Sequence, residues 1–95
     1  MKAKKVFCVI AYDIADDRRR YRVNKVVEKY GVRINFSVYE CMLTLKQMET
    51  IQAKIEKLIN RKEDTVVYYP ICVNCFTKIV YQPENRASAR SVLVC

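Results

Sequence analysis

An almost continuous apolar run at residues 5–14, KVFCVIAYDI, limits what this chain can fold into. Only Asp13 interrupts the run before its end, which predicts a strand buried inside a β-sheet. Other elements of a short chain must then cover that strand. The charge changes abruptly after it, because two acids precede four arginines: Asp16, Asp17, Arg18, Arg19, Arg20 and Arg22.

Asp13 is harder to explain than the two acids that follow it. Asp16 or Asp17 is expected to cap the next helix. A carboxylate in a buried strand is costly unless it is paired or bound to a metal ion. We therefore interpret Asp13 as half of a divalent-metal site, because one aspartate holds Mg²⁺ poorly and a twofold axis would supply a second.

The composition favours an anionic partner and excludes several kinds of active site. The 95 residues predict a single domain, residues 1–95, in which 83–95 is a C-terminal tail. A net charge of +8 favours nucleic acid as the partner. The chain has no histidine base and no Gly-rich phosphate loop. No signal peptide or membrane-spanning run is visible, so a cytoplasmic protein is expected.

The segment after the arginines predicts a helix and then a strand. Apolar residues recur at helical spacing within residues 17–30, and Gly31 is expected to end this helix as its C′ residue. Residues 32–43 alternate between apolar and polar. This predicts one half-buried strand, or a strand that bends near Glu40-Cys41 to begin a hairpin. Its polar face is expected to meet solvent or ligand and carries Arg33, Ser37 and Tyr39.

The second half of the chain predicts another helix and two more strands. The segment Thr44-Leu45-Lys46-Gln47 has a capping-box pattern, and an apolar helical stripe follows it. Residues 65–72 and 76–82 are rich in β-branched and aromatic side chains, so each predicts a strand, with a turn at 73–75. Pro70 indicates that the first of these strands lies at a sheet edge or ends there.

This element order predicts an α+β sandwich with two helices on one face of an antiparallel sheet. A chain this short leaves the other face of the sheet without a cover. A second copy of the chain is therefore expected to cover it.

Five cysteines are an odd number in a chain without a visible secretion signal, which argues against a disulfide framework. Cys72 and Cys75 have the CxxC spacing of half a zinc site or of a redox pair. No histidine is present to complete a zinc site. A redox pair is expected to open a helix, whereas this motif lies between two strand-like runs. Structural cysteines are therefore favoured.

The residues alone leave two interpretations open for the basic and aromatic side chains. The arginines at 18–22 either bind phosphates or form a solvated basic face. Tyr39 either stacks on a base or packs in a dimer interface, and packing is favoured. Arg33 is less easily explained as a solvated charge, since it shares the predicted strand face with Ser37 and Tyr39.

Three segments have a pattern known from one family: Tyr12-Asp13-Ile14 with the basic run after it, Gly31-Val32-Arg33, and Asn35-Phe36-Ser37-Val38-Tyr39-Glu40. Together they resemble the small CRISPR-associated endoribonuclease, the smaller of the two proteins common to CRISPR spacer acquisition. The resemblance spans residues 5–82, and Pro70 in a late strand fits it. The family more often has Gln where Asn35 stands and Phe where Tyr39 stands.

The resemblance implies a ferredoxin-like fold and a homodimer in which a late strand of one subunit extends the sheet of the other. It implies one Mg²⁺ ion shared between the Asp13 residues of the two subunits, with Asp13 as the catalytic position. The positions expected to bind nucleic acid are Arg18, Arg19, Arg20, Arg22, Arg33, Ser37 and Tyr39, of which Arg20, Arg22, Arg33 and Tyr39 match positions that the family associates with substrate or activity.

The function expected on this basis is a metal-dependent endonuclease of CRISPR adaptation. It would cleave phosphodiester bonds of single-stranded RNA or double-stranded DNA and take part in spacer acquisition. One alternative is a non-catalytic, DNA-binding dimer that bridges subunits of the CRISPR integrase. Another is a toxin-like ribonuclease outside CRISPR, and a zinc or redox protein comes last.

Overall fold

Residues 4–82 are described by a computed structural model of the chain, so the predictions for the tail at 83–95 lie outside it. Within this range, four antiparallel strands form one sheet in the order β2-β3-β1-β4. The elements are β1 Lys5–Asp13, α1 Asp17–Val27, β2 Gly31–Asn35, β3 Val38–Thr44, α2 Leu45–Leu58, β4 Thr65–Ile71 and a short α3 Val73–Phe76. The predicted α+β architecture is confirmed.

The core lies between one face of the sheet and the two long helices. Alternate side chains of β1 and β3 point to this face and meet the apolar stripes of α1 and α2. Complete burial of an aliphatic side chain contributes roughly 1.5–3 kcal/mol, so this layer dominates the stability of the domain. Its fully buried members include Cys8, Ile10, Val23, Val27, Cys41, Leu43 and Ile51.

Both long helices begin at the residues that the sequence indicates. The Asp16 carboxylate accepts a hydrogen bond from the Arg19 amide at 2.9 Å and caps α1. Thr44 and Gln47 form a complete capping box at the start of α2, with each side chain accepting from the other residue's amide. Among residues 4–82, no helix combines the length and apolarity needed to cross a membrane.

Gly31 has a different role from the one predicted. Helix α1 ends at Val27, and Gly31 is the first residue of β2 rather than the C′ residue of the helix. It pairs with Cys41 on β3, and a Cβ atom built at Gly31 would lie 2.4 Å from both the Cys41 Sγ and the Glu40 carbonyl oxygen. The position therefore needs glycine because two strands approach closely there.

The hairpin between β2 and β3 turns earlier than predicted. Its turn is at Phe36 and Ser37, not near Glu40 and Cys41, and β3 runs straight through those two residues. The ladder shifts register between Arg33 and Asn35, which marks a β-bulge just before the turn. In addition, the Asn35 side-chain oxygen accepts from the Ser37 amide at 3.1 Å and holds the turn closed.

Strand β4 lies at the edge of the sheet, next to β1, as Pro70 predicts. Pro70 pairs with Cys8 of β1 across the ladder. A proline has no N–H to donate, so its nitrogen is tolerated only where it points away from the neighbouring strand. At Pro70 the nitrogen therefore faces the open edge.

The predicted strand at 76–82 is absent, because the chain turns back over the sheet instead of pairing with β4. The Phe76 ring packs on Phe7 of β1 with the ring centroids 4.8 Å apart. Further along, the Tyr81 hydroxyl donates to Glu40 of β3 at 2.6 Å. These contacts cover one end of the face that the helices leave open, and they explain why Phe7 and Glu40 are buried.

Candidate nucleic-acid interface and metal site

Asp13 is exposed at the last position of β1. The sequence interpretation of Asp13 rests on the free-energy cost of a buried carboxylate. That cost does not apply, because β1 ends at Asp13 and the carboxylate stays outside the core. Tyr12 before it points into the core, so Asp13 projects to the opposite face of the sheet. The carboxylate makes no hydrogen bond or ion pair with any other residue in the range 4–82, and it is therefore available to a ligand.

The sheet around Asp13 is an open apolar face with one acidic residue at its rim. Val9 and Ala11 of β1 and Val67 of β4 are only partly covered there, and Tyr69 is 53% exposed. A shallow depression of about 210 Å³ adjoins the carboxylate and is lined by Ala11, Tyr12, Asp13, Thr65 and Val67. The region is wide enough to receive a second surface.

A single chain supplies only part of a metal site. No cluster of three or more His, Cys, Asp or Glu side chains that could hold a metal ion exists within residues 4–82. Mg²⁺, however, usually takes only one or two carboxylates and completes its six oxygen ligands with water and substrate phosphate. An exposed, unpaired Asp13 carboxylate fits one of those positions.

Two arginines from different elements converge on Phe36 at the tip of the β2–β3 hairpin. The Arg20 guanidinium lies 4.9 Å from the centroid of the Phe36 ring, and the Arg33 guanidinium lies 5.4 Å from it. The ring itself remains 63% exposed. Both distances are within the range of cation–π attraction, so the hairpin tip holds two positive charges against an open aromatic surface.

Backbone carbonyls fix both guanidinium groups in place. Arg20 donates to the carbonyls of Ile14 and Ala15 at 2.9 and 3.3 Å, and it also pairs with Asp17. Arg33 donates to the carbonyls of Asn35 and Phe36 at 3.2 and 2.8 Å. A guanidinium has five N–H donors, so each of these arginines keeps donors for an external acceptor.

The hairpin tip is joined to the end of β1. The Tyr12 amide donates to the Ser37 carbonyl at 3.1 Å, which places the tip beside the residue that precedes Asp13. Beneath it, the rings of Tyr12 and Tyr39 stack with centroids 6.4 Å apart. Burial raises the pKa of Tyr12 to about 12 and also raises that of Tyr39, so both hydroxyls remain neutral beside the arginines.

The prediction that Arg33, Ser37 and Tyr39 line one exposed face is wrong for Tyr39. Tyr39 is only 2% exposed and packs in the core, and Cys41 two residues later is completely buried. The early turn puts these residues on the central strand β3, whose odd-numbered side chains face the helices. Tyr39 therefore packs in the core against Tyr12, whereas Ser37 holds the tip to β1 through its backbone.

Arg19, a predicted phosphate ligand, is engaged within the domain. Its Nε and Nη2 donate to the two carboxylate oxygens of Asp64 at 2.7 and 3.2 Å, and Nη2 also reaches Glu63 at 3.1 Å. The Asp64 side chain is completely buried and accepts a further hydrogen bond from the Asn60 amide at 2.8 Å. Arg19 thus ties α1 to the connector before β4.

We expect Asp64→Asn to lower the free energy of unfolding near neutral pH by removing a contribution that wild type itself loses in acid. The hydrogen bonds from Arg19 hold the pKa of Asp64 below its ordinary value, so the carboxylate stabilises the fold above the unfolded pKa near 4. This contribution is lost as the pH falls through the lowered pKa. Urea unfolding near neutral pH should show a loss of roughly 2 kcal/mol in the variant, and the difference from wild type should close in acid.

Glu63→Gln is the matched control, because it removes a charge beside the same arginine from a side chain that is 64% exposed. Its unfolding curves should overlay those of wild type at every pH, since exposed pairs contribute little. Parallel pH profiles for wild type and Asp64→Asn would contradict the role given to Asp64.

Arg18 and Arg22 are exposed and make no ion pair with another residue in the described part of the chain. They lie on α1 and add unpaired positive charge on the helix side of the sheet. The structure thus separates the predicted arginines into three groups. Arg19 is engaged with the buried Asp64. Arg20 and Arg33 are held beside Phe36, and Arg20 is also paired with the exposed Asp17. Arg18 and Arg22 are free to attract phosphates at longer range.

The CxxC motif differs from its predicted setting, since Cys72 precedes α3 as its N-cap residue and Cys75 lies within that helix. Both are exposed, unlike the buried Cys8 and Cys41. Hydrogen bonds from the Cys75 backbone and thiol lower the pKa of Cys72. The structural role expected of the cysteines fits the buried Cys8 and Cys41, and for Cys72 and Cys75 it stays a prediction, whereas their expected setting between two strands is wrong.

Phe36 and Asp64 are the site residues that sequence reasoning missed. Phe36 falls on the apolar side of the alternation at 32–43, although its position between two polar residues, Asn35 and Ser37, is typical of a turn. Asp64 lies in the polar segment 61–64, which carries no motif. Nothing in the local pattern pairs it with Arg19, because 45 residues separate them in the chain.

Comparison with known proteins identifies a family that this chain matches. The family of CRISPR-associated protein Cas2 matches residues 6–79. A CRISPR-associated endoribonuclease Cas2 of Synechocystis is 38% identical over 71 residues, which are 75% of this chain and 77% of the relative. The match to the family spans most of the chain, including the end of β1, α1 and the hairpin tip.

Two solved structures share the fold at 24% sequence identity. Cas2 of Streptococcus pyogenes superposes with a TM-score of 0.71, covering 79% of this chain and 96% of that one. A chain of a partial Cas6-RT-Cas1–Cas2 complex superposes with a TM-score of 0.66, covering 85% and 94%. Given the family match over residues 6–79 and this common fold, the chain belongs to the Cas2 family of CRISPR-associated proteins.

Proposed function

We propose that the chain is a Mg²⁺-dependent endonuclease of CRISPR adaptation that acts as a homodimer. The observation that carries this proposal is the exposed, unpaired Asp13 carboxylate at the rim of an open apolar sheet face. The Synechocystis relative, at 38% identity, is named as an endoribonuclease. The toxin-like alternative outside CRISPR is not what the family match favours.

The open face supports the homodimer. Val9, Ala11 and Val67 remain partly exposed there, whereas the segment that folds back covers only the end near Phe7. Burying apolar surface contributes about 25 cal/mol per Å², so a second copy would gain by covering the rest. Packing two such faces around a twofold axis brings the Asp13 side chains of both copies to the same interface.

Each element of the site has a definite task in this proposal. The two Asp13 carboxylates would hold the ion, which when bound polarises the scissile phosphodiester. Arg20 and Arg33 would bind phosphates beside it, with their guanidinium groups already oriented by backbone carbonyls. This fixed orientation lowers the entropic cost of positioning the strand.

A metal-dependence assay tests the proposal. We expect the full chain to cleave single-stranded RNA or duplex DNA in Mg²⁺, to lose that activity on chelation, and to regain it when Mg²⁺ is restored. Sedimentation in the same buffer should give the mass of two chains. Cleavage that persists undiminished in a chelator would contradict the metal requirement, and a monomer with full activity would contradict the shared site.

A second candidate function is a DNA-holding adaptor for the CRISPR integrase. Two observations favour it: residues 4–82 of one chain hold no complete metal cluster, and a chain with this fold occurs in a complex with Cas1. The basic surface of Arg18, Arg20, Arg22 and Arg33 would then only grip the DNA backbone. Tight duplex binding without cleavage in any divalent metal, together with spacer integration in its presence, would favour this function.

A further inference from the structure

Phe36 has an unusual environment for a large apolar side chain. It is 63% exposed at a hairpin tip, yet its surroundings are cationic rather than apolar. A phenylalanine that only formed part of a turn would bury little of its apolar ring at this position. An aromatic ring flanked by fixed guanidinium groups is instead a surface on which another planar group can stack.

The surface is rigid enough to act as a binding site. Arg20 is fixed by the carbonyls of Ile14 and Ala15, and Arg33 by those of Asn35 and Phe36. The turn that carries the ring is closed by Asn35 and joined to β1 through Ser37. The ring and the two guanidinium planes are therefore held by contacts within the domain itself.

We propose that Phe36, with Arg20 and Arg33, forms a stacking platform that holds one unpaired nucleobase. This inference rests on the proposed function and adds to it a residue that contacts a base of the bound strand. The charges support a nucleic-acid occupant, because the platform joins an aromatic surface to cations that retain free N–H donors for the flanking phosphates. In a duplex the bases are already stacked and cannot reach the ring.

The test compares wild type with Phe36→Ala for binding of a twelve-nucleotide RNA, the matching duplex, and a ribose-phosphate oligomer of equal length without bases. Binding is measured in a chelator, so that it is independent of cleavage and of any metal. We expect Phe36→Ala to weaken RNA binding roughly tenfold, the usual effect of losing one base–aromatic stack. Binding of the duplex and of the baseless oligomer should change by less than about twofold, since phosphate contacts carry it.

Phe36→Trp and Phe36→Leu are the matched variants. Tryptophan offers a larger ring and should restore RNA binding, whereas leucine keeps an apolar side chain over the arginines and should not. If Phe36→Ala weakened all three ligands equally, the ring would merely position the arginines and the proposal would be wrong. Unchanged RNA binding, or loss of the dimer on sedimentation, would overturn it as well. Failure of wild type to cleave in Mg²⁺ would refute the nuclease proposal while leaving this binding result interpretable.

Discussion

Asp13→Asn is expected to reduce Mg²⁺-dependent cleavage by at least about 100-fold while nucleic-acid binding is retained. Changing a residue that only orients a metal ligand typically costs 10–100-fold in affinity or activity, and loss of a direct ligand should cost at least as much. The exchange is isosteric, and the side chain is exposed and unpaired within the described chain, so the fold should be unaffected. Initial cleavage rates and binding titrations of the same preparations measure both effects.

Asp16→Asn provides the matched control. It removes the same charge three residues away, and asparagine caps a helix as well as aspartate does, so α1 should remain intact. Its cleavage rate should stay within about twofold of wild type. Full activity of Asp13→Asn would show that this carboxylate holds no catalytic metal, and it would direct attention to the adaptor function.

Gly31→Ala is expected to destabilise the domain by roughly 2–3 kcal/mol, near the upper end for an overpacked site. The added methyl group would lie 2.4 Å from a backbone oxygen and from a buried sulfur. The oxygen belongs to a central strand that is paired on both sides, so it cannot retreat without breaking the ladder. The midpoint of urea unfolding should fall accordingly, with an unchanged slope.

A double variant separates the two clashes at this position. Cys41→Ala removes the sulfur but leaves the Glu40 carbonyl, so Gly31→Ala in that background should still destabilise, though by less. A Gly31→Ala protein as stable as wild type would mean that β2 and β3 can separate at this point without cost.

The sequence identifies the parts of the fold that depend on local chemistry. Helix α2 is predictable because Thr44 and Gln47 form a capping box ahead of an apolar stripe. Pro70 predicts that β4 lies at a sheet edge or ends there, and the strand does both. Asp13 is also identifiable, since a carboxylate that ends an apolar strand is unusual, although the reason first given for it, burial, is incorrect.

The sequence fails to show which face of the sheet the helices cover. Arg33 and Tyr39 pair across the β2–β3 ladder and therefore share a face, as predicted, but it is the face that packs on the helices. Alternation alone cannot decide this, and it cannot locate the hairpin turn either, because Asn35 to Ser37 continue the polar–apolar pattern. The segment at 76–82 fails for a tertiary reason, since its aromatic residues are suited equally to a strand and to packing on Phe7 and Glu40.

The proline of the edge strand has a consequence for association between chains. Within residues 4–82 no strand pairs with the outer side of β4, so this side offers backbone donors and acceptors to an extended segment. Pro70 has no backbone N–H to donate near the end of this strand. An added strand can therefore form backbone hydrogen bonds with the residues from Thr65 to Tyr69 but cannot continue the ladder past Pro70. Open-ended fibre growth along this edge is thereby discouraged, while a short, register-limited strand from one specific partner is still admitted.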